Sequence, residues 1–140
     1  MQALHPFHLA FFVRDLDEAR KFYGGILGFT EGRSTEHWVD FDCHGHQLSL
    51  HLKQDLQVTA QAGMVDGDNV PIPHFGVILD MRSWQGLADR VSAARVPFIV
   101  EPHIRFRGEP GEQATMFFCD PSGNALEFKG FAEMNKVFAK

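Results

Sequence analysis

The spacing of apolar residues changes from the rhythm of a strand to that of a helix twice along this chain, in the same order. Residues 8–29 read HLAFFVRDLDEARKFYGGILGF, and residues 74–98 read HFGVILDMRSWQGLADRVSAARVPF. Each copy starts on a His, runs through a short apolar strand, and then places apolar residues three and four apart. Leu16, Ala19, Phe22 and Tyr23 share one helical face in the first copy; Trp84, Leu87, Ala88 and Val91 do so in the second. Asp15 with Glu18 three residues on has the form of a capping box, and Ser83 is the expected cap of the second helix. Gly24 and Gly25 are the expected stop of the first helix.

The segments after the two helices are parallel too. EHWVDFDCHGHQLSLHL gives strand, turn at His44-Gly45, strand; ATMFFCDPSGNALEFKGF gives strand, turn at Ser122-Gly123, strand. One further strand near 28–34 and another near 97–101 make each half a βαβββ unit. The predicted fold is therefore α+β: two βαβββ modules forming a curled mixed sheet around a central cavity, with the helices outside. The expected organisation is a single domain over 1–140. Module one spans about 6–54, a Gly-, Asp- and Pro-rich linker 55–73, module two 74–132, and a C-terminal tail 133–140.

Composition narrows the function. A formal charge of -5 with scattered Lys and Arg excludes nucleic acid as the main partner. No apolar run approaches the ~20 residues of a membrane span, and HPFH near the start interrupts any signal-peptide pattern. Cys43 and Cys119 read as free thiols, so the expectation is a soluble, cytoplasmic protein. Fourteen Phe residues suit either a dense core or an aromatic-lined pocket.

Strand alternation picks out candidate chemistry. Aligning Gly45 with Gly123 sets Leu48 opposite Leu126, Ser49 opposite Glu127, and Leu50 opposite Phe128. Leu48, Leu50 and Leu52 take the helix side; Gln47, Ser49 and His51 take the other, as does Glu127 in its own strand. His8 and His74 hold the matching first position of the two copies. His8, His74 and Glu127 thus form a two-His, one-carboxylate set, which suits one divalent metal, Fe(II) first, because it leaves positions free for substrate and O₂. His51, on the same face, is a candidate acid/base, with a partly exposed strand His as the plain alternative. His44 and His46 in CHGH lie in a turn without a second ligand pair and are set aside. Arg105, Arg107 and Glu109 read first as solvated charge, with a lid or an anion-binding loop as alternatives.

These features, and the closing FFCDPSGNALEF in particular, resemble the vicinal oxygen chelate superfamily over roughly residues 6–131. That superfamily includes glyoxalase I, type I extradiol dioxygenases, fosfomycin-resistance thiol transferases and bleomycin-binding proteins. The resemblance implies ligands at His8, His74 and Glu127, and a homodimer acting on a small molecule. Glyoxalase-like members usually add a fourth Glu or Gln ligand where this chain has Ser49; a shift of one pair would place His51 there. Extradiol enzymes commonly carry a Tyr where this chain has Phe117, and the one Tyr here is Tyr23. The implied activity is extradiol-dioxygenase-like, on a small aromatic vicinal diol. The alternatives are a glyoxalase-like lyase or thiol transferase using Zn, Ni or Mn, or a non-catalytic binding protein.

Overall fold

The computed structural model describes residues 4–58, 61–65 and 68–140. The chain divides into two compact units, Met1–Val58 and Thr59–Lys140. Among the described residues no helix is long and apolar enough to cross a membrane.

The first unit contains β1 (His8–Val13), α1 (Leu16–Arg20), β2 (Thr30–Ser34), β3 (Trp38–Cys43) and β4 (His46–Leu52). Its sheet has the order β1-β4-β3-β2, with β1 and β4 parallel and the other pairs antiparallel. The second unit adds a two-stranded hairpin, β5 (Gln61–Val65) and β6 (Asp68–Ile72). It then repeats the first pattern with β7 (Ile78–Asp80), α2 (Met81–Ala93), β8 (Phe98–Arg105), β9 (Gln113–Cys119) and β10 (Ala125–Phe131). The second sheet runs β7-β10-β9-β8, again with one parallel pair at its edge. The expected βαβββ modules are present in both halves, each a four-stranded mixed sheet.

Local chemistry explains the elements. Asp15 caps α1, accepting the Glu18 N–H at 2.8 Å. The box is only half made, because Arg14 takes the Glu18 carboxylate through two nitrogens, at 2.9 and 2.7 Å. Gly24 and Gly25 do not end the helix as expected. The chain widens into a π turn over Lys21–Ile26, with Leu27 N–H donating to the Phe22 carbonyl at 2.9 Å. It leaves the helix at Gly28, whose φ of 80° suits glycine. The wider turn carries Tyr23, fully buried, with its ring 5.0 Å from Phe22 and 6.0 Å from both Phe11 and Phe41. The one Tyr of the chain is therefore core.

Ser83 is not the cap of α2. Asp80 is, accepting both the Ser83 N–H and the Ser83 hydroxyl at 2.9 Å. The helix begins at Met81, so Asp80 stands at the cap and Ser83 at the third helical position, whose N–H the cap accepts. The turn joining β3 to β4 puts His44 and Gly45 at φ 51° and 89°, the left-handed pair of a tight hairpin. In the matching turn the Asp120 carboxylate gathers the backbone N–H groups of Ser122 and Asn124 at 2.9 and 2.8 Å. The stretch 55–73, expected as a linker, contains the β5–β6 hairpin; its residues 59–60 and 66–67 lie outside the described residues.

Both cysteines are free, Cys43 buried and Cys119 half-buried. Burial, reinforced by Asp42, pushes the Cys43 thiol up to about 12.

In the second unit α2 covers one face of the sheet. The Trp84 indole N–H donates to the Phe128 carbonyl at 2.9 Å, and a Cβ on Gly130 would fall 2.7 Å from Trp84 Cβ. Positions 126, 128 and 130 of β10 therefore face the helix, and 127 faces away. On that far face Val70, Val100 and Phe117 pack together.

The parallel pairing continues towards the start of the repeat. Phe75 pairs with Leu126, donating to the Ala125 carbonyl at 3.2 Å and accepting from Glu127 N–H at 2.8 Å. Gly76 comes next, where an added Cβ would collide with the Glu127 carbonyl. Gly76→Ala is expected to cost at least about 3 kcal/mol in a urea unfolding titration, since backbone meets backbone there and no side chain is free to yield. Cys43 is expected to stay unmodified by iodoacetamide at about pH 8 until denaturant is added, because the reactive thiolate is scarce in the folded chain.

Candidate metal centre

The ladders fix the equivalence of the two repeats. Leu9 pairs with Leu48 in the first unit, and Phe75 pairs with Leu126 in the second. His8 and His74 are therefore true counterparts, one residue before those pairs, and Ser49 is the counterpart of Glu127. The alternative of a one-pair shift placing His51 opposite Glu127 is removed.

In the second unit His74 and Glu127 come together, with His74 Nε2 3.2 Å from Glu127 Oε1. His74 Nδ1 lies 2.7 Å from the Pro71 carbonyl oxygen, which only accepts, so Nδ1 carries a proton. Nε2 and Oε1 are then left facing one shared position, fit for one positive centre: a proton or a metal ion. An imidazole that gives its other N–H to a backbone carbonyl has the arrangement usual for metal-binding histidines. Glu127 is 9 % exposed. Its other oxygen accepts the Thr115 hydroxyl at 2.5 Å, and Thr115 is wholly buried. The Phe117 ring stands edge-on to His74, with centroids 4.9 Å apart and planes at 80°. It is level with Glu127 across β9 and β10, so the place read as a Tyr site is a buried apolar wall.

His8 lies in the first unit, exposed, with Nδ1 2.8 Å from the Gln47 side-chain oxygen. The Gln47 amide nitrogen donates to Asp40 at 3.3 Å, and the Ser49 hydroxyl donates to the same carboxylate at 2.6 Å. Ser49 is thus engaged by Asp40, a buried group that sequence reading passed over. Its signal was the alternation in WVDFDC, which puts Asp40 on the polar face beside Ser49. A cavity of about 530 Å³ in this unit is lined by His8, Gln47, Asp40, Arg33, His46 and Phe7, among others.

His51 shares the face of Ser49 and is exposed, level with Phe12 and Trp38. It stands four residues beyond Gln47 along β4, about 13 Å at strand rise. His46 accepts the Phe7 N–H at 2.8 Å, and the His44 ring lies edge-on to Phe29; both histidines tie the β3–β4 turn to other segments of the first unit. Among the described residues no group of three or more His, Cys, Asp or Glu side chains assembles that could hold a metal ion. The pair from the second unit is what the structure gathers.

Thr115→Val keeps the shape but removes the hydroxyl donor to a buried carboxylate. It is expected to lower stability by about 1.5–3 kcal/mol near neutral pH, read by urea titration.

The sequence profile of the Glyoxalase/Bleomycin resistance protein/Dioxygenase superfamily matches residues 5–128. A glyoxalase/bleomycin resistance protein/dioxygenase from Alicyclobacillus acidocaldarius is similar in structure, with a TM-score of 0.78, 31% identity, and coverage of 96% of each chain. Lactoylglutathione lyase from Agrobacterium tumefaciens shares the fold at a TM-score of 0.65 and 21% identity, over 100% of both chains. The fosfomycin resistance protein FosX from Listeria monocytogenes does so at 0.67 and 17%, over 97% of this chain and 98% of that one. Among curated proteins, a 58-residue stretch is 36% identical to ER membrane protein complex subunit 9 of Mus musculus. That match covers 39% of this chain, which spans only 27% of that relative's length.

Proposed function

This chain belongs to the Glyoxalase/Bleomycin resistance protein/Dioxygenase superfamily, and on that footing we propose that it is a divalent-metal enzyme acting on a small substrate with two adjacent oxygens. The finer reading is an extradiol-dioxygenase-like oxidoreductase for an aromatic vicinal diol, with Fe(II) as the metal and O₂ as the second substrate. The observation that supports it most is the convergence of His74 Nε2 and Glu127 Oε1 on one position, 3.2 Å apart, with Nδ1 tied to a carbonyl. His8 is proposed as the third ligand, supplied by the same chain or by a second copy in a homodimer. Ser49, held by Asp40 at 2.6 Å, adds no fourth ligand, so open positions are left for substrate.

When bound, the metal supplies Lewis acidity and a template for two oxygens. The chain's own residues do the rest. Glu127 brings the negative charge that offsets a dication, kept in place by the Thr115 hydroxyl. Phe117, buried against Val70 and Val100, braces the His74 ring edge-on and so helps to hold its orientation. His51 is proposed to take or return a substrate proton.

Chain purified without chelator is expected to carry one divalent metal per copy, and Glu127→Ala and His74→Ala to lose it. Iron-loaded enzyme under anaerobic preparation should consume O₂ and form a yellow ring-cleavage product from at least one catechol of a panel. Metal binding with turnover that ignores O₂ would replace the dioxygenase reading by a lyase or transferase with Zn, Ni or Mn. Mixing His8→Ala with Glu127→Ala chains separates the two sources of His8. Activity regained on mixing places each site between copies.

A further inference from the structure

The hydrogen-bond chain in the first unit has a direction, and Asp40 sets it. Asp40 is 8 % exposed and makes no ion pair among the described residues. Its two oxygens accept the Ser49 hydroxyl at 2.6 Å and the Gln47 amide at 3.3 Å. A carboxylate only accepts, so the amide must turn its NH₂ towards Asp40 and its oxygen towards His8. That oxygen lies 2.8 Å from His8 Nδ1. Nδ1 is then the protonated nitrogen, and Nε2 carries the lone pair.

We propose that Asp40 is a positioning residue which, by fixing the orientation of the Gln47 amide, locks His8 in the tautomer whose Nε2 is free to bind a metal ion. The proposal rests on the reading of His8 as a ligand. The two repeats reach one tautomer by different means. His74 faces the Pro71 backbone carbonyl, which cannot turn round. His8 faces a side-chain amide, which can. A flipped Gln47 would offer N–H to Nδ1 and drive the proton to Nε2, the wrong end for a ligand. An amide in this place needs an anchor that accepts and never donates, and the buried carboxylate beyond it meets that need.

The test uses metal-free, full-length protein labelled with ¹⁵N-histidine, at about pH 8 where an ordinary imidazole is neutral. Long-range ¹H–¹⁵N spectra report the tautomer of each ring, and His8→Gln assigns the His8 signals. Wild type is expected to show Nδ1–H at His8. Asp40→Ala should move much of the population to Nε2–H and weaken Co(II) binding about 10–100-fold by titration calorimetry. Asp40→Ala with Gln47→Glu should restore Nδ1–H, because a carboxylate at 47 accepts whichever way it turns. Should Asp40→Ala fail to fold, Gln47→Leu at an exposed position carries the test, with Nε2–H expected. Nε2–H in wild type, or Nδ1–H persisting in either Asp40→Ala or Gln47→Leu, overturns the proposal. A tautomer shift with unchanged Co(II) affinity supports the lock and removes His8 from the ligand set.

Discussion

A carboxylate buried in the middle of a β-strand is the constraint that organises the second unit. Desolvating a lone charged Glu127 would cost several kcal/mol, so its surroundings must supply partners. Thr115 gives a hydroxyl to one oxygen and His74 sets a ring nitrogen against the other. For His74 to reach that point, the backbone at 75–77 must lie flush along β10, and Gly76 is the residue that permits it. The carbonyl of Pro71, on the hairpin strand β6, then orients the ring from behind. A structural cost and the proposed binding capability are here the same feature.

The repeats share a ladder but not a chemistry. On the rung where the first unit pairs Ser49 with Asp40, the second pairs Glu127 with Phe117. Each unit buries a carboxylate on that rung, but on different strands. In the second unit the acid faces an imidazole directly. In the first it stands one residue removed, acting on His8 through an amide. Duplication supplies two equivalent frames, and the exchange of side chains on one rung gives them different tasks. The same asymmetry leaves a single carboxylate ligand among the candidates, in keeping with a site that has room for substrate oxygens.

Aromatic residues are divided in the same way. Tyr23 and its neighbours Phe11, Phe22 and Phe41 fill the first unit's core behind its helix, where a π turn makes room for the larger ring. Phe117, on the face away from α2, packs on Val70 and Val100 and borders His74. In both units, then, buried Phe serves the core, and in the second it also braces His74.

Much of this was legible in the residues themselves. The doubled βαβββ order follows from local periodicity and turn chemistry, which act over a few residues and so are written directly in sequence. The Asp15 cap and the His44-Gly45 turn are of that kind. The pairing of His74 with Glu127 could be anticipated because the repeat supplied a register and strand alternation supplied a face. Other features belong to tertiary structure alone. That the helix widens at Tyr23 and stops at Gly28 depends on the core it packs into, and two glycines in a row do not reveal it. The Gln47–His8 link joins residues far apart in sequence. The β5–β6 hairpin and the Pro71 carbonyl behind His74 are local in the chain, but a Gly-, Asp- and Pro-rich stretch reads as linker and hides them. Which oxygen meets which nitrogen at 2.7 or 2.8 Å is decided by packing, and no spacing along the chain encodes it.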